Sequence, residues 1–279
     1  MISPSGLMPK RPGICIPVFF LSLMHGTLLA QLNWPEAASA ALGGSFVCLD
    51  GYVCASQNQA GLGFTERSSI SIQHGIPFWI KELGISSLSG QFRSGNGALG
   101  ASLSTVGLRG LRQSSLWLAR GQRLHPRMGA GVGLHFWNTS IQEQFFYAPG
   151  ISFALGLQIR ISEQWRFGAR LFHPAEWRKL REASGEESMH IETGFAYSFF
   201  NVARIFSDLH IHPGDPVLLC GGAEWILNRQ ICMRTGIRSE PFTFTWGLSL
   251  KLKSCLAEFS FMYRMETGLS TLSAMTYEW

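Results

Sequence analysis

Eight charged residues fall inside segments that are otherwise apolar or small: Arg166, Arg170, Glu192, Arg204, Asp208, Glu224, Arg234 and Glu258. They are of mixed sign. Such a set can line a polar conduit or dock another part of the chain. It can also form ion pairs that hold a wall together, because a buried charge needs a partner. Ion pairing is the simpler of these readings, and a lumen so lined does not suit free diffusion of large solutes. His210-Ile211-His212, followed by Pro213-Gly214-Asp215, puts two imidazoles on one strand face beside a loop. Neutral imidazole binds several transition metals, but the sequence places no third ligand, so a polar loop rim is expected and no metal. Ser188-Met189-His190, or His135 with Ser140, would be raw material for a nucleophile beside a base. Ser and His are too common for these pairings to carry information, so no catalytic residues, no enzyme and no cofactor are expected.

The 279 residues are 46% hydrophobic and only 15% charged, with 31 glycines. A soluble domain carries roughly 25% charge, and disorder needs low hydrophobicity with high charge. Beyond the N-terminus no run approaches the about 18 apolar residues of a membrane helix. A Gly-rich, aromatic-rich, charge-poor chain leaves two candidates, a soluble all-β protein or a membrane β-barrel. The net charge of +5 comes from 18 Arg and 5 Lys spread along the chain, which is no nucleic-acid footprint. Lys10 and Arg11 precede an interrupted apolar stretch from Ile14 to Ala30. That pattern predicts a signal peptide over 1–30. The five cysteines beyond it, Cys48, Cys54, Cys220, Cys232 and Cys255, have neither zinc spacing nor an even count. Cys48 and Cys54 are the nearest pair for a bridge, but five small apolar residues are the plainer expectation.

From residue 68 onward, segments alternate apolar with small or polar residues. Ile151, Phe153, Leu155, Leu157 and Ile159 alternate with Ser152, Ala154, Gly156 and Gln158. Phe242 to Leu250 and Ile191 to Phe199 repeat the habit. Side chains alternate across a strand, so each segment has one greasy face and one small or polar face. The pattern predicts strands at 69–76, 82–92, 98–107, 113–122, 128–137, 150–160, 164–172, 190–199, 202–210, 216–225, 231–238, 242–251, 255–264 and 270–279. An even number of segments of this length suits an outer-membrane barrel. Connections after even-numbered strands are short, and those at 138–149 and 173–189 are expected to be long loops. The eight charges named above fall on the non-apolar face of their strands. Arg120, sharing parity with Leu116 and Leu118, is the exception and is expected to snorkel at a membrane edge. The last strand ends on Tyr277 and Trp279 along one face. This terminus resembles the signal read by the barrel assembly machinery.

Residues 31–67 lack strand alternation and predict a plug ahead of a barrel at 68–279. Asp50 is the only acid between Ala37 and Thr65, hence the natural partner for an inward arginine, while Phe46, Val47 and Leu62 are expected to wall a small apolar site. Gly43-Gly44-Ser45-Phe46-Val47 followed by Asn58-Gln59-Ala60-Gly61-Leu62 resembles the N-terminal region of the FadL-like superfamily, in its PorV/PorQ-type branch of Bacteroidetes. Gln59 stands where that pattern has proline. The resemblance continues through Gly97–Gly100, Ser115–Arg120 and Leu171–Pro174. It implies an all-β, 14-stranded antiparallel transmembrane barrel with a short N-terminal plug, set in bacterial outer-membrane lipid. It also implies one of two roles: passage of small hydrophobic molecules, or a non-enzymatic adaptor role with a type IX secretion-like partner. An apolar site between plug and wall, reached through a lateral gap, would favour transport; a filled lumen would favour the adaptor.

Overall fold

The computed structural model describes residues 34–108, 110–141, 146–178, 189–200 and 202–279. The predicted signal peptide lies outside them. Among the described residues, fourteen antiparallel strands close on themselves, each pairing with its neighbours in sequence and β1 with β14. The strands are β1 (Ser69–Ile76), β2 (Ile85–Arg93), β3 (Gly97–Leu108), β4 (Leu111–His125), β5 (Met128–Ile141), β6 (Phe146–Arg160) and β7 (Trp165–Arg178). They continue with β8 (His190–Phe199), β9 (Ala203–Ile211), β10 (Leu218–Ile226), β11 (Ile231–Arg238), β12 (Thr243–Leu252), β13 (Cys255–Arg264) and β14 (Gly268–Glu278). Closure leaves no unpaired strand edge.

Period-two patterning decides which face points where. In β1, Ile70 and Ile72 are exposed, while Ser69, Ser71 and Gln73 are buried. Leu88, Leu103, Val132, Leu155, Phe195, Ile205, Leu219, Met233 and Phe244 extend this outer apolar band around the barrel. Water would not tolerate such a continuous greasy surface; a bilayer requires it. Arg120 is on this outer face, and its Nη2 donates to the Ser94 carbonyl, 3.2 Å away in the β2–β3 turn. The guanidinium thus reaches the barrel end. Phe92, Trp165, Phe199, Trp225, Tyr277 and Trp279 ring the same end from outside. Phe92 meets Trp279 at 6.0 Å, forming part of an aromatic belt.

The described parts of two expected loops are mostly strand. β5 and β6 extend to Ile141 and from Phe146, and β7 runs to Arg178. The β6–β7 ladder accommodates His173-Pro174 by slipping register: Ala154 faces Phe172, but Ser152 faces Glu176. His173 there has φ 53, a left-handed backbone. A bulge is where a strand can carry proline, since the extra residues need not donate to the ladder.

The chain from Trp34 to Thr65 runs inside the barrel. Helix α1 (Ala37–Ala41) leads into 3-10 turns at Tyr52–Ala55 and Gln59–Phe64, and nearly every residue is buried. Glycines on the inner wall make room for it. A Cβ on Gly131 would stand 2.3 Å from the Gln59 backbone carbon, and one on Gly168 would stand 2.4 Å from the Val47 carbonyl oxygen. Gly222 and Gly236 do the same beneath Leu42 and Gly43. Much of the high glycine content is therefore a steric imprint of this inner segment.

Candidate functional site

The inner segment is held by its motif residues. Gly43 turns the chain after α1 with φ +71, and its amide donates to Thr245 Oγ1 at 2.9 Å. Gly44 follows at φ +93 against the Cys220 sulfur. Asn58 accepts from the Ala60 amide at 3.2 Å, capping the Gln59–Phe64 turn, and its Nδ2 donates to the Val47 carbonyl at 2.6 Å. Gly61 lies against Cys54 and Leu49, where a Cβ would not fit, and Leu62 packs on Gly100 and Gly121.

The eight inward charges gather in sets. Arg166 donates to Asp50 at 2.5 Å, with Arg160 at 3.8 Å from the same carboxylate. Arg170 pairs with Glu192 at 3.1 Å and donates a second N–H to the Ser56 carbonyl. Arg204 bonds Glu224, which also accepts from Arg234 at 2.8 Å; Arg234 reaches Glu258 at 2.6 Å, and Glu258 accepts from the Tyr52 hydroxyl at 2.6 Å. Asp208 accepts from the backbone amides of Phe46 and Val47 at 2.6 and 3.0 Å. Ion pairs and plug contacts thus engage all eight.

Above this, in the loop-ward half of the lumen, lies a wall of rings. Trp117 stacks on His135 at 4.3 Å, and His135 stacks on Trp137 at 5.1 Å. Phe172 and His173 follow on β7, with His173 5.7 Å from His190 and His190 stacked on His212 at 4.1 Å. Phe46 of the inner segment meets His210 at 5.3 Å. Five of the eight histidines in the chain stand here, drawn from β5, β7, β8 and β9 and the residue following β9. Arg170 forms the floor, its guanidinium 4.6 Å from the Phe172 ring centre, 5.3 Å from Trp117 and 5.7 Å from Phe46. Burial lowers the His212 imidazole below its ordinary value, so it favours the neutral ring.

The structure gives the remaining sequence candidates their places. Phe46 joins the ring wall, Val47 and Leu62 fill glycine clefts, and Phe46 and Leu62 belong to one buried apolar cluster. Cys48 and Cys54 are not bridged. The Cys48 thiol faces the Gly194 carbonyl at 3.5 Å and that of Cys54 faces the Leu49 carbonyl at 3.3 Å, and burial raises both thiols. His210 and His212 take separate ring partners, and no group of three metal-ligating side chains gathers among the described residues. His135 points inward, whereas Ser140 has the opposite parity on β5. Ser188 lies outside the described residues. The ring wall itself could have been suspected from one signal: large rings such as Trp117 at positions where the other inward residues are small.

No protein-family model matches the chain, and no curated protein matches it. Solved structures do resemble it. The toluene transporter TbuX of Ralstonia pickettii superimposes with TM-score 0.68 at 13% identity, over 89% of this chain and 98% of that one. The monoaromatic hydrocarbon channel CymD gives TM-score 0.67 at 13% identity over 89% and 98%. A FadL homologue of Pseudomonas aeruginosa gives 0.57 at 9% identity over 88% and 97%. The fold of this chain, a closed barrel of fourteen strands, is therefore FadL-like.

Proposed function

We propose that this protein is a bacterial outer-membrane channel that passes small hydrophobic molecules, with residues 34–65 as the plug that closes it. The observation that carries this reading is the ring wall. A barrel needing only mechanical closure has no use for stacked aromatic and imidazole rings on an inner face otherwise lined mostly by small residues and paired charges. Binding sites for small molecules are lined by such side chains, with a few polar groups to fix orientation. The break in the β6–β7 ladder lies beside this wall, at His173, which is what passage through the side of the barrel would use. The named activities of TbuX and CymD point the same way. Assignment to the PorV/PorQ-type branch rests on the Gly43-Gly44 and Asn58–Leu62 motifs, and the signal peptide on residues 1–30.

The test is uptake. Cells lacking their own outer-membrane channels for hydrophobic compounds should accumulate trace radiolabelled toluene faster when they display this protein. Equal rates with and without it would contradict the proposal.

A further inference from the structure

The ring wall contains buried donors that meet no acceptor. Trp117 is 1% exposed and Arg170 is 4% exposed. Among the described residues, neither the Trp117 Nε1–H nor the Arg170 Nε–H has a hydrogen-bond partner. The two side chains touch, with the guanidinium 5.3 Å from the indole centre. Both groups donate only, so neither can satisfy the other. The Gln59 carboxamide, also fully buried and unpartnered among the described residues, packs against Gly133, one inner-face position along β5 from His135. His210 Nε2 is 4.0 Å from Asp208, beyond hydrogen-bond reach. A passage for bare hydrocarbon would gain nothing from this lining, because each desolvated polar group costs free energy. What Trp117 Nε1 and Arg170 Nε lack is an acceptor held between stacking rings.

We infer that the ring wall selects flat aromatic molecules carrying an oxygen acceptor, a hydroxyl or a carboxylate, over the corresponding hydrocarbon. This rests on the transport reading above and narrows it. The ring would stack beside Trp117 and His135, and the oxygen would accept from Trp117 Nε1 and Arg170 Nε. A site built with buried donors discriminates sharply against an analogue that cannot engage them, because those donors then stay unpaired.

The experiment is equilibrium dialysis of the full chain in detergent against radiolabelled toluene, p-cresol and p-toluate, with a detergent-only control. These ligands share a methyl-substituted ring and differ in its polar group. p-Cresol or p-toluate should bind about tenfold more tightly than toluene, the worth of one good hydrogen bond. Which of the two wins tells hydroxyl from carboxylate. Trp117→Phe keeps a ring and removes the donor, and should bring the oxygenated-to-toluene ratio toward one. Unboiled gel mobility checks that the variant barrel is folded, and Arg170→Lys, which keeps the cation beside Glu192 but removes the Nε donor, serves as a second variant with the same expected change in ratio. If toluene binds as well as both oxygenated ligands, the acceptor inference fails while the transport reading stands. If none of the three is retained above the detergent control, the transport reading fails, and the inference with it.

Discussion

Glu36 lies 5% exposed at the start of α1, and no cation meets it among the described residues. Its Oε1 accepts from Ser56 at 3.3 Å and from Ser89 at 3.2 Å, one hydroxyl from the inner segment and one from β2. Burial pushes its pKa up to about 7, opposed by those two hydroxyls and helped by the nearby Glu258 carboxylate, which the Tyr52 hydroxyl and Arg234 engage. A carboxyl whose folded value exceeds its unfolded 4.5 holds its proton more tightly in the folded state. Its stabilising contribution is complete below pH 4.5 and is lost as pH rises through about 7. Thermal unfolding should therefore shift to lower temperature across that window, and Glu36→Gln should flatten the dependence. An unchanged slope in the variant would show that another group carries it. Asp50, by contrast, is paired with Arg166, and its pairing with an inward arginine was readable from the sequence because it is the only acid between Ala37 and Thr65.

Among the elements, the strands were legible because one physical rule, alternation across a sheet, repeats in each of them. β1, β8, β11 and β13 have the bounds that alternation predicts. The rule failed where turn-forming residues sit inside strands. Asn138-Thr139-Ser140 reads as a loop but continues β5, and His173-Pro174 reads as a terminus but is a bulge. Beyond the single signal of large rings such as Trp117 among small inward residues, the ring wall was not legible, since Trp117, His135, Phe172, His190 and His210 come from five strands and meet only through register. Gly131→Val puts a branched side chain where even a Cβ would stand 2.3 Å from the inner segment. Overpacking of this kind costs about 1–3 kcal/mol. The barrel should still insert, whereas the inner segment should become sensitive to protease. Full protection would mean that the wall gives way instead.

For the whole molecule, the apolar band and aromatic belt require assembly in a bilayer. Tyr277 and Trp279 lie at the end of β14, exposed on the outer face and stacked at 6.0 Å. Replacing both with Ser should lower the amount of heat-modifiable protein in the outer membrane without blocking export. Unchanged yield would remove them as the assembly signal. The proposed function makes the lumen a route that residues 34–65 close. It is tested most directly by conductance in planar bilayers. The full chain should be nearly silent, Asp50→Ala should leak slightly, and a chain lacking residues 37–63 should conduct ions steadily while still inserting. If that deletion inserts and conducts no more than the full chain, the segment is not the closure. The protein would then be an adaptor whose N-terminal segment docks a partner.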